Sequence, residues 1–564
     1  MSRNFARAVL ALAAAFFAAF FIWPILLILK GGFVDADGRV TFRFLEALLS
    51  DPIILEGLRN SFLIAAAATC LAALVALPLA VITDRFRFPG KGLFGSLVLV
   101  PMILPPFVGA IGVRQILGQY GAVNSLIVAL GLRPQGWAFD WLAANRFTGI
   151  AVLDAFSLYP ILYLNAVAAL ANVDPAMEEA AQNLGCTGLR RFRRITAPLI
   201  RPGLFAGGTI VFIWAFTDLG TPLIFDYDRV ASVQIYHGLS DIGGNPYPFA
   251  LVAVMMAASV LIYALGKGLF GRNPHAMMAK ATSAGGARTL PAGRAWLCTA
   301  AFAAVSLVAM LPHLAVVLIA FSGDWYGRIL PGSWTLDNFR GALGHGMTVP
   351  AIANSLKFAG AATVVDLVLG GAIAYVVVRT RIAGRQALDF LAMLPLAVPG
   401  LVLAFGYLSM AQDGRFFSFI NPVRNPTVLL IVAYSIRRLP YVVRSAAAGF
   451  EQVSETLEEA AQCLGCPPLR AVFKITVPLI AANLIAGGLL AFSFAMLEVS
   501  DSLILAQKQA FYPITKAILE LFQLLGDGKY LASALGVWAM VFLGAVIAGL
   551  TTLLGRKLGA VFRV

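Results

Sequence analysis

The chain has 564 residues, of which 60% are hydrophobic and only 12% are charged. Soluble globular domains carry about a quarter charged residues, so this composition excludes an ordinary globular surface and indicates an integral membrane protein. The mean hydropathy is +0.84, and apolar residues are distributed along the whole chain, which predicts many spans of about 20 residues. The net charge of +14 does not indicate nucleic-acid binding, because the basic residues are scattered between apolar runs.

The apolar runs are continuous rather than alternating, which favours spanning helices over a β-barrel. An all-α polytopic protein with about twelve transmembrane helices is therefore expected. The spans are predicted near residues 8–30, 58–83, 93–117, 147–171, 199–220, 248–270, 295–321, 352–378, 387–411, 427–449, 479–505 and 532–556. The first run is longer than a signal-peptide core and is interpreted as a retained span. Basic residues cluster at alternate span ends, which predicts that both termini are cytoplasmic.

The stretch from Gly271 to Arg294 is rich in Gly, Ala, Arg and Lys and has no apolar core, which is typical of a linker. We therefore expect a first half at residues 1–270, a cytoplasmic linker at 271–294 and a second half at 295–564. Each half has six predicted spans.

The two halves repeat one another. At an offset of 280 residues, Glu178–Gly208 matches Glu458–Gly488 at 19 of 31 positions. At an offset of 294, Asn60-Ser61 matches Asn354-Ser355 and Arg85 matches Arg379. Because each half has an even number of spans, the repeats are expected to run in the same direction, related by an axis along the membrane normal.

The best-matched stretch is a predicted cytoplasmic loop between the fourth and fifth spans of each half. In the first loop, Asp174-Pro175 predicts a helix start, residues 176–184 a helix, and Gly185 its left-handed end. In the second loop, Thr456 and Glu459 predict a capping box, residues 457–464 a helix, and Gly465 its end. A loop repeated this closely suggests contact with a partner.

The motif EEAAQNLG with Ile195 and Pro198, and the motif EEAAQCLG with Ile475 and Pro478, resemble the EAA loop of binding-protein-dependent ABC importer permeases. The chain departs from the family at Ala197 and Val477, where the family usually has Leu before the proline. Nearly the whole chain is similar to fused two-half permeases of the ferric-iron type, including PMILPPFVGAIG at residues 101–112. This resemblance implies the type I ABC importer permease fold.

The resemblance also implies that the helix of each EAA loop, at residues 174–198 and 454–478, is a coupling helix that docks on an ATPase subunit. Small alanines would permit close approach, and the acidic pairs would meet basic groups on that partner. The residues expected to act in coupling are Glu178, Glu179, Ala180, Ala181, Gly185, Glu458, Glu459, Ala460, Ala461 and Gly465.

Further expectations follow from the same resemblance. The partners would be two copies of an ABC ATPase, which would bind ATP and Mg²⁺, a periplasmic substrate-binding protein and the lipid bilayer, with no nucleic acid. The location would be a bacterial cytoplasmic (inner) membrane. Ferric iron is the favoured cargo, while a phosphonate such as 2-aminoethylphosphonate, thiamine or a polyamine remains open.

No catalytic residue is expected on this chain, because it has no P-loop, HExxH or GxSxG sequence. No cofactor or metal site is expected on it either, since the four histidines are dispersed and the pair Cys463 and Cys466 has no second pair. Two alternative classes are an ion-coupled secondary transporter, which would not need EAA loops, and a polytopic membrane enzyme.

Ionisable residues in or beside spans are candidates for a translocation path, because charge in hydrocarbon is costly. They are Asp154, Asp218, Arg437, Arg438, Glu498 and Asp501. Asp218 and Glu498 are equivalent at offset 280 and are hypothesised to face each other near an outer gate, with interhelical hydrogen bonding or a location at the outer interface as the alternative. Arg437 and Arg438 occur in one half only and favour an anionic cargo, unless Arg437 pairs with Asp154.

Prolines 101, 105, 106, 395 and 399 are predicted to interrupt the third and ninth spans. Such breaks free backbone carbonyl groups that can line a cavity. Two interpretations of these prolines remain: they shape a gate or cavity, or they only kink the helices.

Overall fold

The computed structural model describes residues 3–35, 37–103, 106–241, 245–270 and 288–554. In the first half of the chain the helices are α1 Arg3–Phe17, α2 Trp23–Phe33, α3 Arg43–Ser50, α4 Pro52–Arg85, α5 Lys91–Leu97, α6 Val100–Ile103, α7 Pro106–Leu117, α8 Ala122–Ala129, α9 Trp141–Ala144, α10 Arg146–Ala171, α11 Pro175–Asn183, α12 Gly188–Arg191, α13 Ala197–Phe216, α14 Gly220–Ile224, α15 Ala231–His237 and α16 Tyr247–Phe270.

The second half continues the same pattern of long helices joined by short ones. Its helices are α17 Ala292–Ala320, α18 Asp337–Gly344, α19 Thr348–Arg379, α20 Arg385–Met393, α21 Gly400–Met410, α22 Thr427–Gln452, α23 Thr456–Cys463, α24 Pro468–Ala471, α25 Val477–Leu479, α26 Ala481–Met496, α27 Ser500–Leu505, α28 Ile514–Phe522 and α29 Gly528–Leu554.

Short irregular elements join these helices. The π-helical turns are Ala18–Ile22, Phe192–Thr196 and Val472–Thr476, and the 3₁₀ turns are Gly238–Asp241, Leu394–Leu396, Ser418–Ile420 and Gln509–Phe511. Strand β1 Phe86–Arg87 pairs in parallel with β2 Arg288–Thr289, and β3 Ser322–Asp324 pairs antiparallel with β4 Ser333–Trp334. Residues 271–287 of the predicted linker lie outside the described residues.

The described residues contain eight helices long and apolar enough to cross a membrane, or up to eleven if each of three bent helix pairs counts as one span. The prediction of a polytopic helical membrane protein is therefore confirmed, whereas the count of twelve is not. The predicted tenth span is present as helix α22, but this helix is too polar to be counted among those apolar enough to cross a membrane. It carries Arg437, Arg438 and Arg444 within a little over two turns.

The ninth predicted span is bent, as its prolines predicted. The helix pair Arg385–Leu396 and Gly400–Met410 meets at 100°, with Pro395 and Pro399 at the break. Proline removes a hydrogen-bond donor and clashes with the preceding turn, which accounts for the bend. In the third predicted span, Pro101 lies in α6 and Pro106 begins α7, while Pro105 lies outside the described residues.

The chain forms two compact units, each of which combines most of one half with the first span of the other. The first unit comprises Met1–Leu55, Gln234–Met256 and Phe339–Val564, and the second comprises Glu56–Val233 and Ala257–Asn338. In the first unit, α19, α22 and α26 pack on one another and α2 packs on α21. In the second unit, α10 packs on α13 and α7 packs on α17.

The repeat seen in the sequence extends to helix packing. A Cβ on Gly207 of α13 would lie 3.0 Å from the Cβ of Asn165 on α10. At the equivalent place, a Cβ on Gly487 of α26 would lie 2.9 Å from the Cβ of Ser445 on α22. Glycine at each crossing therefore allows two membrane helices to approach closely, as small residues do at such interfaces.

Candidate functional site

The first EAA loop forms the predicted helix, which is α11. The carboxylate of Asp174 accepts a hydrogen bond from the backbone N–H of Ala176 at 2.9 Å, and Pro175 occupies the first turn. Gly185 has φ of +78°, the left-handed conformation expected just past a helix end. These observations confirm the predicted start and end of this helix.

The second EAA loop forms α23 with the same ending, since Gly465 has φ of +83°. The predicted capping box is wrong. Thr456 is already the first helical residue, and the residue before it, Glu455, makes no side-chain capping bond. Instead, the hydroxyl of Ser454 accepts a hydrogen bond from the N–H of Thr456 at 3.3 Å.

The two members of each acidic pair have different environments. Glu178 is half-buried and accepts hydrogen bonds from the guanidinium of Arg85 and the hydroxyl of Thr196. Glu458 is buried and accepts from the hydroxyl groups of Tyr375 and Thr476.

Their neighbours Glu179 and Glu459 are exposed. Adjacent helical positions point about 100° apart, so one carboxylate of each pair turns inward and the other outward. The interpretation that both carboxylates of each pair meet a partner is therefore corrected: Glu178 and Glu458 are bound within the chain.

The rest of each loop presents a small, partly apolar surface. Ala180 and Ala460 are exposed, whereas Ala181 is buried and Ala461 is half-buried against the protein. At the C-terminal end of the two helices, Leu184 is 87% exposed and Leu464 is 89% exposed.

The sequence interpretation did not assign these two leucines a role, although they occupy the same position in both copies of the motif. Both copies of the loop thus expose a leucine at the same position, and Leu189 and Leu469 five residues later are exposed as well.

Four of the candidate path residues form one buried cluster in the first unit. Arg437 and Arg438 both donate to the carboxylate of Glu498, and Arg437 also donates to Asp501 at 3.2 Å. A Cβ on Gly400 would lie 2.1 Å from Nη1 of Arg437, so the guanidinium lies directly against the glycine that follows the proline break.

This cluster corrects the suggested pairing of Arg437 with Asp154, because Arg437 binds Glu498 and Asp501 of its own unit. The two arginines and two carboxylates can neutralise one another in the low-dielectric interior. The argument from Arg437 and Arg438 toward an anionic cargo is correspondingly weakened.

The first-half candidates are in a different setting. The carboxylate of Asp218 accepts hydrogen bonds from the backbone N–H groups of Gly220 and Thr221, each at 3.2 Å, at the start of α14. Asp154 is buried on α10, and its Oδ2 has no hydrogen-bond partner among the described residues. The hypothesis that Asp218 and Glu498 face each other at an outer gate remains a prediction.

The repeated Asn-Ser pairs also have a structural role that the sequence interpretation did not assign. Ser61 accepts a hydrogen bond from the N–H of Ala231 at 2.9 Å, and Ser355 accepts one from the N–H of Ile514 at 2.7 Å. The side chain of Asn60 donates to the carbonyl of Arg229 at 3.0 Å, and that of Asn354 donates to the carbonyls of Ala510 at 2.9 Å and Tyr512 at 3.3 Å. Each pair thus binds the start of a short helix, α15 or α28, and the residues just before it.

Among the residues that the structure describes, no group of three or more His, Cys, Asp or Glu side chains is arranged to hold a metal ion.

Long apolar helices and one structured loop in each half define a polytopic helical membrane protein with a duplicated architecture. The chain matches the family described as binding-protein-dependent transport system inner membrane component over residues 76–273 and again over residues 366–559. These two matches cover more than half of its length, and the chain belongs to this family.

Similar proteins agree with this membership. The ferric transport system permease protein FbpB of Actinobacillus pleuropneumoniae is 26% identical over 549 residues, which cover 94% of this chain and 75% of that protein. The thiamine transport system permease protein ThiP of Escherichia coli is 25% identical over 422 residues, covering 73% of this chain and 74% of that protein.

A solved bacterial ABC transporter involved in alginate import aligns with a TM-score of 0.36 at 15% identity, over 46% of this chain and 95% of that chain. Family membership decides among the classes considered above: the chain is an ABC importer permease with both halves fused in one polypeptide.

Proposed function

We propose that this permease carries ferric iron from a periplasmic binding protein into the cytoplasm, driven by two copies of a separate ABC ATPase. The single observation that supports the drive mechanism is the duplicated EAA loop. In both copies a short helix ends at a left-handed glycine and exposes one acidic side chain and one leucine.

In this proposal ATP and Mg²⁺ bind to the ATPase subunits, and this chain contributes the path through the membrane. Each coupling helix is followed, after a turn at its left-handed glycine, by the helical segment that contains the fifth span of its half. In the first half, Gly188–Ile224 forms one long helical span, and in the second half Pro468–Leu479 and Ala481–Met496 join at a bend of 75°. Movement of a coupling helix would therefore reorient a membrane helix. The chain would lie in a bacterial cytoplasmic membrane with both termini in the cytoplasm.

Ferric iron is proposed as cargo because a relative that aligns over 94% of this chain is named a ferric transport permease. Thiamine is the second candidate, supported by similarity to a thiamine permease over 73% of the chain. The self-neutralised arginines of α22 give no support to a phosphonate.

The test of this proposal is uptake into proteoliposomes that contain the full chain and its ATPase, with the binding protein added outside. We expect accumulation of radioactive ferric iron that requires ATP and the binding protein, and no uptake of labelled thiamine. Uptake of thiamine but not iron would contradict the cargo. Uptake driven by an ion gradient without ATP would contradict the mechanism.

A further inference from the structure

The inward-facing acidic residue of each coupling helix is bound by groups on two other elements. In the second unit, the Glu178 carboxylate joins Arg85, the last residue of α4, to Thr196 in the π-helical turn that leads into α13. Arg191 lies 4.0 Å from the same carboxylate. The side chains of Arg85 and Glu178 are 19% and 17% exposed, so solvent screens this ion pair only in part.

The other coupling helix is bound at the same place by different chemistry. Thr476 donates to Glu458 at 2.7 Å from the equivalent π-helical turn, and Tyr375 of α19 donates to it at 3.2 Å. Arg379, the equivalent of Arg85, instead pairs with Glu455 at 3.3 Å and donates to the carbonyl of Val453. The threonine is thus common to both halves, while the other hydrogen-bond donor is an arginine in one half and a tyrosine in the other.

We propose that Glu178 and Glu458 are positioning residues that join each coupling helix rigidly to two membrane helices, the second and the fifth spans of their half. The inference rests on the proposed function and deepens it. A force applied to the exposed face of the loop would reach the second span through Arg85 or Tyr375, and the fifth span through Thr196 or Thr476. Hydrogen bonds to an ionised carboxylate are stronger than neutral ones, which suits them to transmit force.

The test uses the full chain assembled with its ATPase in proteoliposomes. Its readout is the factor by which the liganded binding protein stimulates ATP hydrolysis over the basal rate. The variants are Glu178→Gln and Glu458→Gln, which keep the side-chain shape and remove the charge. We expect each to reduce the stimulation factor by about fivefold or more, with wild-type amounts of ATPase still bound, because a charged acceptor is replaced by a neutral one.

Matched controls separate coupling from docking and from folding. Glu179→Gln and Glu459→Gln change the exposed neighbour and are expected to reduce the amount of bound ATPase instead. Thr196→Ser and Thr476→Ser keep the hydroxyl and are expected to retain stimulation, whereas Thr196→Val and Thr476→Val are expected to lose it. Arg85→Lys is expected to retain more stimulation than Arg85→Gln.

An unchanged stimulation factor in Glu178→Gln and Glu458→Gln would overturn the inference. So would a loss of folded protein with normal stimulation in the remainder, since that result identifies a structural role alone. If the glutamine variants fail to fold, the Ser and Val variants at residues 196 and 476 decide the question by the same readout. Failure of the wild-type chain to bind any ATPase would instead contradict the proposed function.

Discussion

At the scale of single residues, Glu498 is the centre of the buried charge cluster. It is 5% exposed and accepts hydrogen bonds from both Arg437 and Arg438. The energy of such a cluster depends on complete pairing, because a buried charge that loses its partner keeps its desolvation penalty.

We predict that Glu498→Gln destabilises the protein by about 3–5 kcal/mol, since Arg438 would lose the carboxylate that it pairs with and Arg437 would keep only Asp501. A lowered midpoint of thermal unfolding in detergent would register this loss. Glu56→Gln is the matched control, because the Arg229–Glu56 pair at 2.7 Å is much more exposed. Its effect is expected to be about 0–1 kcal/mol. Equal midpoints for the two variants would contradict the account of the cluster.

A second residue-scale prediction concerns Ser355, which is 2% exposed and accepts from the N–H of Ile514. Ser355→Ala leaves that buried donor without its partner, which costs about 1–3 kcal/mol. Hydrogen exchange of the α28 amides is expected to increase as its first turn loosens. Ser50→Ala, at an exposed serine, provides the comparison. No change in α28 exchange would show that the serine does not hold this helix.

At the scale of elements, the crossing of α10 and α13 depends on Gly207 but not on its neighbour. A Cβ on Gly207 would lie 3.2 Å from the Cα of Leu162, a backbone atom, whereas a Cβ on Gly208 would have its nearest contact, Thr69 Cγ2, at 3.8 Å. The two adjacent glycines thus form an internal control.

We predict that Gly207→Ala separates these helices and costs about 1–3 kcal/mol, as overpacking does. Gly208→Ala is expected to leave stability near the wild-type value. Thermal unfolding of both variants in the same detergent compares them directly. A larger loss in Gly208→Ala than in Gly207→Ala would refute the packing argument.

The elements also show which features the sequence could predict. Continuous apolar runs predicted most of the long helices, and Gly185 and Gly465 predicted where both coupling helices end. The capping box at Thr456 was wrong because the chain enters the helix one residue earlier than the motif requires. The sequence places Glu178 on the same helix face as Ala181, three residues later, but only the structure shows that this face is turned inward.

Contacts between spans that are distant in the chain could not be predicted from the sequence. Arg437 had carboxylates available on several helices, and the choice of Glu498 and Asp501 depends on which helices pack together. Tyr375 gave no signal either, because its role in binding Glu458 has no counterpart in the first half. In contrast, Thr196 and Thr476 were visible as a repeated pair, and only their partner was unknown.

At the scale of the whole molecule, the sequence duplication produced two loops that expose the same residue type at the tip. The residues that bind the inward-facing glutamate behind each tip differ between the two halves. Leu184 and Leu464 occupy the same exposed position in the two loops. Behind them, Arg85 binds the glutamate in the first half and Tyr375 binds it in the second. If both loops bind copies of one partner, as we propose, the exposed residues must make the same contacts in both loops. The interior behind each surface is free to diverge, provided that every buried polar group is satisfied.

In the proposed function, an ATPase subunit covers the exposed tip of each loop. The most direct measurement places a photo-crosslinking amino acid at Leu184, at Leu464 and, as control, at Leu525, which is 99% exposed on a different loop. We predict covalent capture of the ATPase subunit at the first two positions and not at the third. Capture at neither loop, with both tips open to a water-soluble label with and without ATP, would contradict the account.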